Sequence, residues 1–344
     1  MFSEGVIQKA KATIGPFCKV CKHCDGMACK GVMPGPGGKG LGLGFIRNYL
    51  AYRSVALEMN TLHDKVEPST ACQFFGIDLS LPVFAAPIGA VQVHYGSSYC
   101  DWTYSEALLK GCSKVGTFAW TGDGVKPDVF TDNLKAMQAR EDFGIPTIKP
   151  WQSEQVIEKI KLAEHVGVPA IAMDIDAAGL SFLASQGQAV SPVSFERLAE
   201  IIQHSNKPFI VKGIMTPASA LSAKKAGASA IVVSNHGGRV LDETPSSLSV
   251  LEEIRQAVGP DMIVFIDGGV RSGLDVFKAI ALGANAVLIG RPFVTAIYGG
   301  DYEAVIDYLN GIKQELKNAM IMTGASALSQ ITREKVKWLY ARDC

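Results

Sequence analysis

Eight short apolar runs recur along the chain, at 83–88, 115–120, 145–150, 170–176, 208–212, 230–236, 263–268 and 286–291. Runs that are apolar at nearly every position, not every second one, mark strands buried on both faces, and such strands belong to parallel sheets. Between most of them lie stretches with apolar residues at helical spacing, for example 154–165, 217–226, 247–258 and 273–282. Eight strands alternating with helices predict a (β/α)8 TIM barrel of the α/β class. An open doubly wound sheet fits less well, because no glycine-rich dinucleotide turn follows the first strand.

A chain of 344 residues, 48% hydrophobic and 19% charged, can fill a large core, so disorder is not its default state. Its formal net charge of zero argues against nucleic acid or an acidic membrane as the main partner. The longest apolar run, 281–289, is broken by glycine and is far short of a bilayer span. The N-terminus carries no apolar signal core. A cytoplasmic protein is the expectation.

Residues 1–75 read differently from the barrel region at 76–344. Cys18, Cys21, Cys24 and Cys29 follow a C-x2-C-x2-C-x4-C spacing, and Met33-Pro34-Gly35-Pro36-Gly37-Gly38-Lys39-Gly40 then forms an aperiodic loop. Clustered thiolates suit zinc or an iron–sulfur cluster, and the spacing exceeds the ferredoxin pattern by one residue. A redox-active thiol group and plain reduced cysteines are the other readings. His23, inside the cluster, is either a further ligand or, in the favoured reading, a solvated loop histidine. Residues 45–65 are expected to form one helix. Cys72, Cys100, Cys112 and Cys344 lack any ligand spacing and read as structural or incidental thiols.

The polar residues of the barrel region gather at one end of the strands. Lys149, Asp174, Asp176, Lys212, His236, Asp267 and Arg291 all lie at or near strand C-termini, where barrels of this kind build their active sites. The sixth run ends in Ser234-Asn235-His236-Gly237-Gly238-Arg239. There His236 can carry a proton near neutral pH, and Arg239 offers a planar fork for a carboxylate. Asp267-Gly268-Gly269-Val270-Arg271 and Ile289-Gly290-Arg291-Pro292 each open a helix after the last two strands. That pair is the arrangement of a barrel phosphate site, with backbone N–H groups and arginines facing an anion.

These motifs, together with Val211-Lys212-Gly213 and Leu241-Asp242, resemble the FMN-dependent 2-hydroxy-acid oxidase and dehydrogenase family, the glycolate and lactate oxidases among them. The resemblance runs from about residue 76 to the C-terminus and is densest over 209–293. It implies FMN in the barrel mouth, with phosphate on Gly269, Arg271, Gly290 and Arg291 and the ribityl chain on Asp267. It places Lys212 near the flavin N1/O2 edge, Ala86-Pro87-Ile88-Gly89 along the N5 side, and Ser234, Lys149 and Asp174 also around the cofactor. It makes His236 the catalytic base, Asp176 its partner and Arg239 the carboxylate clamp. The substrate would be a small 2-hydroxy acid and the product its 2-oxo acid, with the electron acceptor unassigned. A tetramer or larger homo-oligomer is the family's habit.

The chain departs from the family pattern on the substrate side. The second substrate arginine has no counterpart, and Asp176-Ala177-Ala178-Gly179-Leu180 stands in its place. Lys149 and Trp151 replace a glutamine and a tyrosine, Asp174 replaces a threonine, and the cysteine segment takes the place of an N-terminal tyrosine. Lys149 then either pairs with Asp174 or supplies charge to the substrate, with Trp151 beside it. Two other functions stay open: an FMN-dependent isomerase of the type 2 isopentenyl diphosphate kind, and a non-catalytic flavin or metal sensor.

Overall fold

A computed structural model describes residues 2–65, 67–138, 144–180, 183 and 190–339. The chain begins with helix α1 (Glu4–Thr13), capped by the Ser3 hydroxyl, and reaches α2 (Leu43–Arg53) through the cysteine and Pro-Gly segments. The helix expected over 45–65 stops at Arg53. Strand β1 (Val55–Leu57) follows at once and pairs antiparallel with β12 (Val336–Trp338), Val55 opposite Trp338. A partner some 280 residues away leaves no local trace in the sequence, which is why the boundary was misplaced.

A hairpin of β2 (Cys72–Phe74) and β3 (Ile77–Leu79) precedes the barrel. Its two-residue turn, Phe75-Gly76, has positive φ at both positions (54° and 81°), as a type I′ turn requires. The strained Phe75 is held because its ring lies against Phe118 and Phe265.

The barrel strands are β4 (Val83–Ala85), β5 (Ala119–Thr121), β6 (Gly144–Ile148), β7 (Ile171–Asp174), β8 (Phe209–Ile214), β9 (Ala230–Val233), β10 (Ile263–Asp267) and β11 (Ala286–Ile289). They pair in parallel in chain order, and β11 closes on β4, Val287 opposite Val83. Each falls on one of the eight apolar runs. Inside the barrel, Phe84, Phe118, Trp120 and Phe265 interlock with small residues such as Ala172 and Ala230. Phe84 and Phe265 meet edge to face at 5.5 Å, a geometry worth about 0.5–1.5 kcal/mol beyond the area buried. The aromatic plug fills the interior and leaves the C-terminal end of the strands to the polar residues.

Helices cover the outside. Ser194, Thr216, Ser246 and Ser272 each cap one barrel helix by accepting from a first-turn N–H, a contact worth about 1 kcal/mol apiece. The helix Arg291–Met322 has Gly290 at its cap, so no side chain closes its N-terminus at the barrel mouth. Among the described residues no helix is long and apolar enough to cross a membrane. Cys344 lies outside the described residues.

Candidate active site

Five strand ends and one helix start aim charged groups at a single cavity of about 1150 Å³, open solvent at its mouth included. Lys149, Asp174, Lys212, His236, Arg239 and Asp267 line it, as do Ala86, Pro87, Ile88, Gly89, Gly269, Arg271, Gly290 and Arg291. Asp176 and Ser234 stand one layer back. Asp176 Oδ1 accepts from His236 Nδ1 at 2.9 Å, and Ser234 Oγ accepts from Lys212 Nζ at 3.0 Å. Trp151 must be corrected: it does not face the cavity. The turn after β6 rotates its buried indole away, so that Nε1–H donates to Asp123 Oδ2 at 2.5 Å. Asp123 also takes Lys159 at 2.7 Å and the backbone N–H of Lys149. This buried knot fixes the end of β6 from behind.

The charges are arranged as coupled pairs. Lys149 meets Asp174 at 3.1 Å, and Lys212 meets Asp267 at 3.3 Å. Burial alone would push Lys212 down, but Asp267, Asp176 and Asp174 outweigh it and hold the ammonium above its ordinary value. For His236 the balance runs the other way. Burial, with Lys212, Lys149 and Arg239 nearby, pushes its pKa well below the usual histidine value, against the opposing pull of Asp174. His236 is therefore neutral at pH 7. Burial raises Asp176, while Lys212 and Lys149 pull it down. Asp174, Asp176 and His236 place ligand atoms within 4.8 Å of one another, yet the two lysines already neutralise that acidic group.

The loop bearing His236 is fixed by Asn235. Its amide accepts from Asn48 Nδ2 at 2.7 Å and donates to Thr244 and Pro245. Gly238, at φ 78°, lets α2 lie directly on this loop: a Cβ there would meet the Phe45 nitrogen at 2.2 Å. The Pro-Gly segment then straps the mouth. Lys39 donates to the carbonyls of Gly179 and Val240, and Arg291 donates to Pro36 O at 2.7 Å while stacking 3.7 Å over Phe45.

His94 and Tyr95, which no motif in the sequence singles out, line the same cavity. Burial, then Arg239, Lys149 and His236, pushes His94 down to about 3, and its Nδ1 accepts from Gly35 N–H. The available signal was a histidine and a tyrosine in the segment after the first barrel strand. Met33 sits with its sulfur 4.0 Å from Arg239 Nη2, where the Pro-Gly segment enters the site.

Cys18, Cys21, Cys24 and Cys29 line a second cavity that shares Arg291 with the first. All described cysteines are free. Among the described residues, no three of these thiols bring their sulfurs within 4.8 Å of one another, so a compact zinc tetrahedron is not assembled. Burial pushes Cys18 up to about 11 and raises Cys21 and Cys29. Burial likewise pushes Cys72 up to about 12, and Cys112 is wholly enclosed.

A family model described as FMN-dependent dehydrogenase matches residues 36–183 and 180–338. A peroxisomal (S)-2-hydroxyacid oxidase of Arabidopsis thaliana is 46% identical, over 84% of this chain and 87% of that protein. A 4-hydroxymandelate oxidase of Amycolatopsis orientalis is 29% identical, over 90% of this chain and 96% of its own. Among solved structures, a mandelate oxidase variant with (S)-mandelic acid superposes with a TM-score of 0.77 at 27% identity, covering 88% of this chain and 92% of that one.

Proposed function

The chain belongs to the FMN-dependent dehydrogenase family, and from that premise we propose that its barrel oxidises a 2-hydroxy acid to the 2-oxo acid. The residues fit the cofactor. Asp267 Oδ1 is buried with no partner, as expected of an acceptor kept for a ribityl hydroxyl. The uncapped helix behind Gly290, with Arg271 and Arg291, suits the phosphate. Lys212, held protonated by three carboxylates, sets a positive charge where an electron-rich ring would need it. When bound, FMN supplies the acceptor for the electron pair leaving the substrate carbon.

The observation that carries the reading is the 2.9 Å contact between His236 Nδ1 and Asp176 Oδ1, in the same cavity as Arg239. With Nδ1–H donated to Asp176, the Nε2 lone pair is free to take the substrate's hydroxyl proton. Asp176 then stabilises the imidazolium that results. Arg239 keeps a buried Nε without a partner, a vacancy suited to one arm of a carboxylate. Lys149 adds positive charge on the side where the family's second arginine is missing. Leu180, Leu183 and Val125 form the apolar wall for the rest of the substrate.

The test is anaerobic addition of glycolate, lactate and mandelate to the FMN-loaded protein. Bleaching of the flavin absorption by at least one acid is expected. Flavin that no acid reduces would shift the reading to the isomerase or the sensor. Peroxide formed on readmitting oxygen would make the enzyme an oxidase, and turnover only with an added acceptor would make it a dehydrogenase.

A further inference from the structure

We propose that Cys18, Cys21, Cys24 and Cys29 together hold an iron–sulfur cluster of the four-iron kind beside the barrel mouth. All four residues line one cavity of about 480 Å³, open solvent included, with Arg291 and Pro36 also in its lining. A zinc ion with sulfurs at about 2.3 Å gathers them to about 3.8 Å from one another. No three of these sulfurs lie within 4.8 Å of one another, a spacing wider than a single zinc imposes. A cluster places irons and sulfides between its ligands and spreads them over a wider tetrahedron. Three cysteines with two residues between neighbours form the run of cluster loops, and Cys29 follows one residue farther on than in the ferredoxin pattern.

The backbone is shaped around this cavity and not around a core of its own. Between α1 and α2 the single regular element is one short turn, Met27–Cys29. Loops longer than about 12–15 residues without such structure are uncommon and tend to be functional. Within it, the buried Val20 adopts φ 45° between two of the cysteines, a costly conformation for a β-branched residue. Gly26, also left-handed, lets the loop approach the barrel cap: a Cβ there would meet the Phe45 ring at 2.7 Å.

The surroundings suit a negatively charged group. A cluster on four thiolates carries net negative charge, and two cations, Arg291 and Lys19, border the cavity against one carboxylate, Asp25. Arg271 anchors the loop by donating from Nε and Nη2 to Cys24 O, at 3.1 and 2.7 Å. Such outer contacts orient ligands and tune a cluster. The assignment is independent of the substrate proposed above.

The experiment is metal analysis of the full chain, expressed with added iron and purified without oxygen. About four irons and four acid-labile sulfides per chain are expected, with broad absorption beyond the flavin bands and a paramagnetic signal after dithionite reduction. One zinc per chain without sulfide, or no metal with the thiols free or in disulfides, would overturn the proposal. Cys21→Ser should lose most of the iron and sulfide while retaining FMN, which reports that the barrel is folded. Full iron and sulfide in that variant, or their loss in Cys100→Ser, would also overturn it. Should the Cys21 variant fail to fold, the wild-type stoichiometry still decides.

Discussion

His236 and Asp176 are joined by a 2.9 Å hydrogen bond from Nδ1 to Oδ1, with the second carboxylate, Asp174, at 3.9 Å. The nearer contact fixes which nitrogen carries the proton. In Asp176→Asn an amide can present its NH2 to that nitrogen and favour the other tautomer. Turnover should fall by about 10²-fold or more with FMN content unchanged. Rapid-mixing measurement of flavin reduction checks it, and an undiminished rate would remove Asp176 from the mechanism.

The pH profile follows from the direction of the His236 shift. Its folded-state pKa lies below the usual value of about 6.5, so the basic form already dominates there. The rate of flavin reduction should be flat from neutral pH downward to below about 6.5 and fall only on the acid side of that. A profile still rising between pH 7 and 8 would contradict this account.

His94 makes a stability prediction of definite sign. Its folded value is depressed to about 3, against about 6.5 in an unfolded chain. Between those limits the unfolded state binds a proton that the folded state does not. Stability is thus present above the upper limit and drains as pH falls through the window, by at most about 1.4 kcal/mol per pH unit. In His94→Gln, which keeps an acceptor for Gly35, the Tm should drop less between pH 7 and 4 than in wild type.

Arg239→Lys keeps a charge but loses the planar fork. Losing one charge-assisted bond of about 1.5–3 kcal/mol should lower kcat/KM by about 10- to 150-fold, mostly through KM, with FMN binding intact. Unchanged steady-state kinetics would place the carboxylate elsewhere.

Lys149→Met leaves Asp174 charged and buried without its partner. The expected cost is about 3–5 kcal/mol in urea unfolding, with part of it recovered in the double variant Lys149→Met/Asp174→Asn. Unchanged flavin affinity together with unchanged turnover would show that Lys149 touches neither cofactor nor substrate.

The barrel was legible in the sequence because strands such as Ala230–Val233, covered on both faces, must be apolar throughout. The ends of those strands were legible because charged residues collect there, at the close of otherwise apolar runs. What stayed hidden depended on contacts far apart in the chain. The end of α2 at Arg53 is set by pairing with Val336–Trp338. The turning of Trp151 away from Lys149, its neighbour but one, is set by Asp123. His94 lacks any motif around it and becomes part of the site only through the fold. Cys18 to Cys29 carried a spacing but no dimension, and the choice between one ion and a cluster is a question of dimension.

Arg291 belongs to both cavities at once: it borders the barrel mouth and the thiol chamber, pinned between Phe45, Pro36 and Gly237. With Tyr95, which also lines both, this guanidinium forms the party wall of two compartments. Whatever binding in one chamber does to the affinity of the other, the second must return to the first in equal measure.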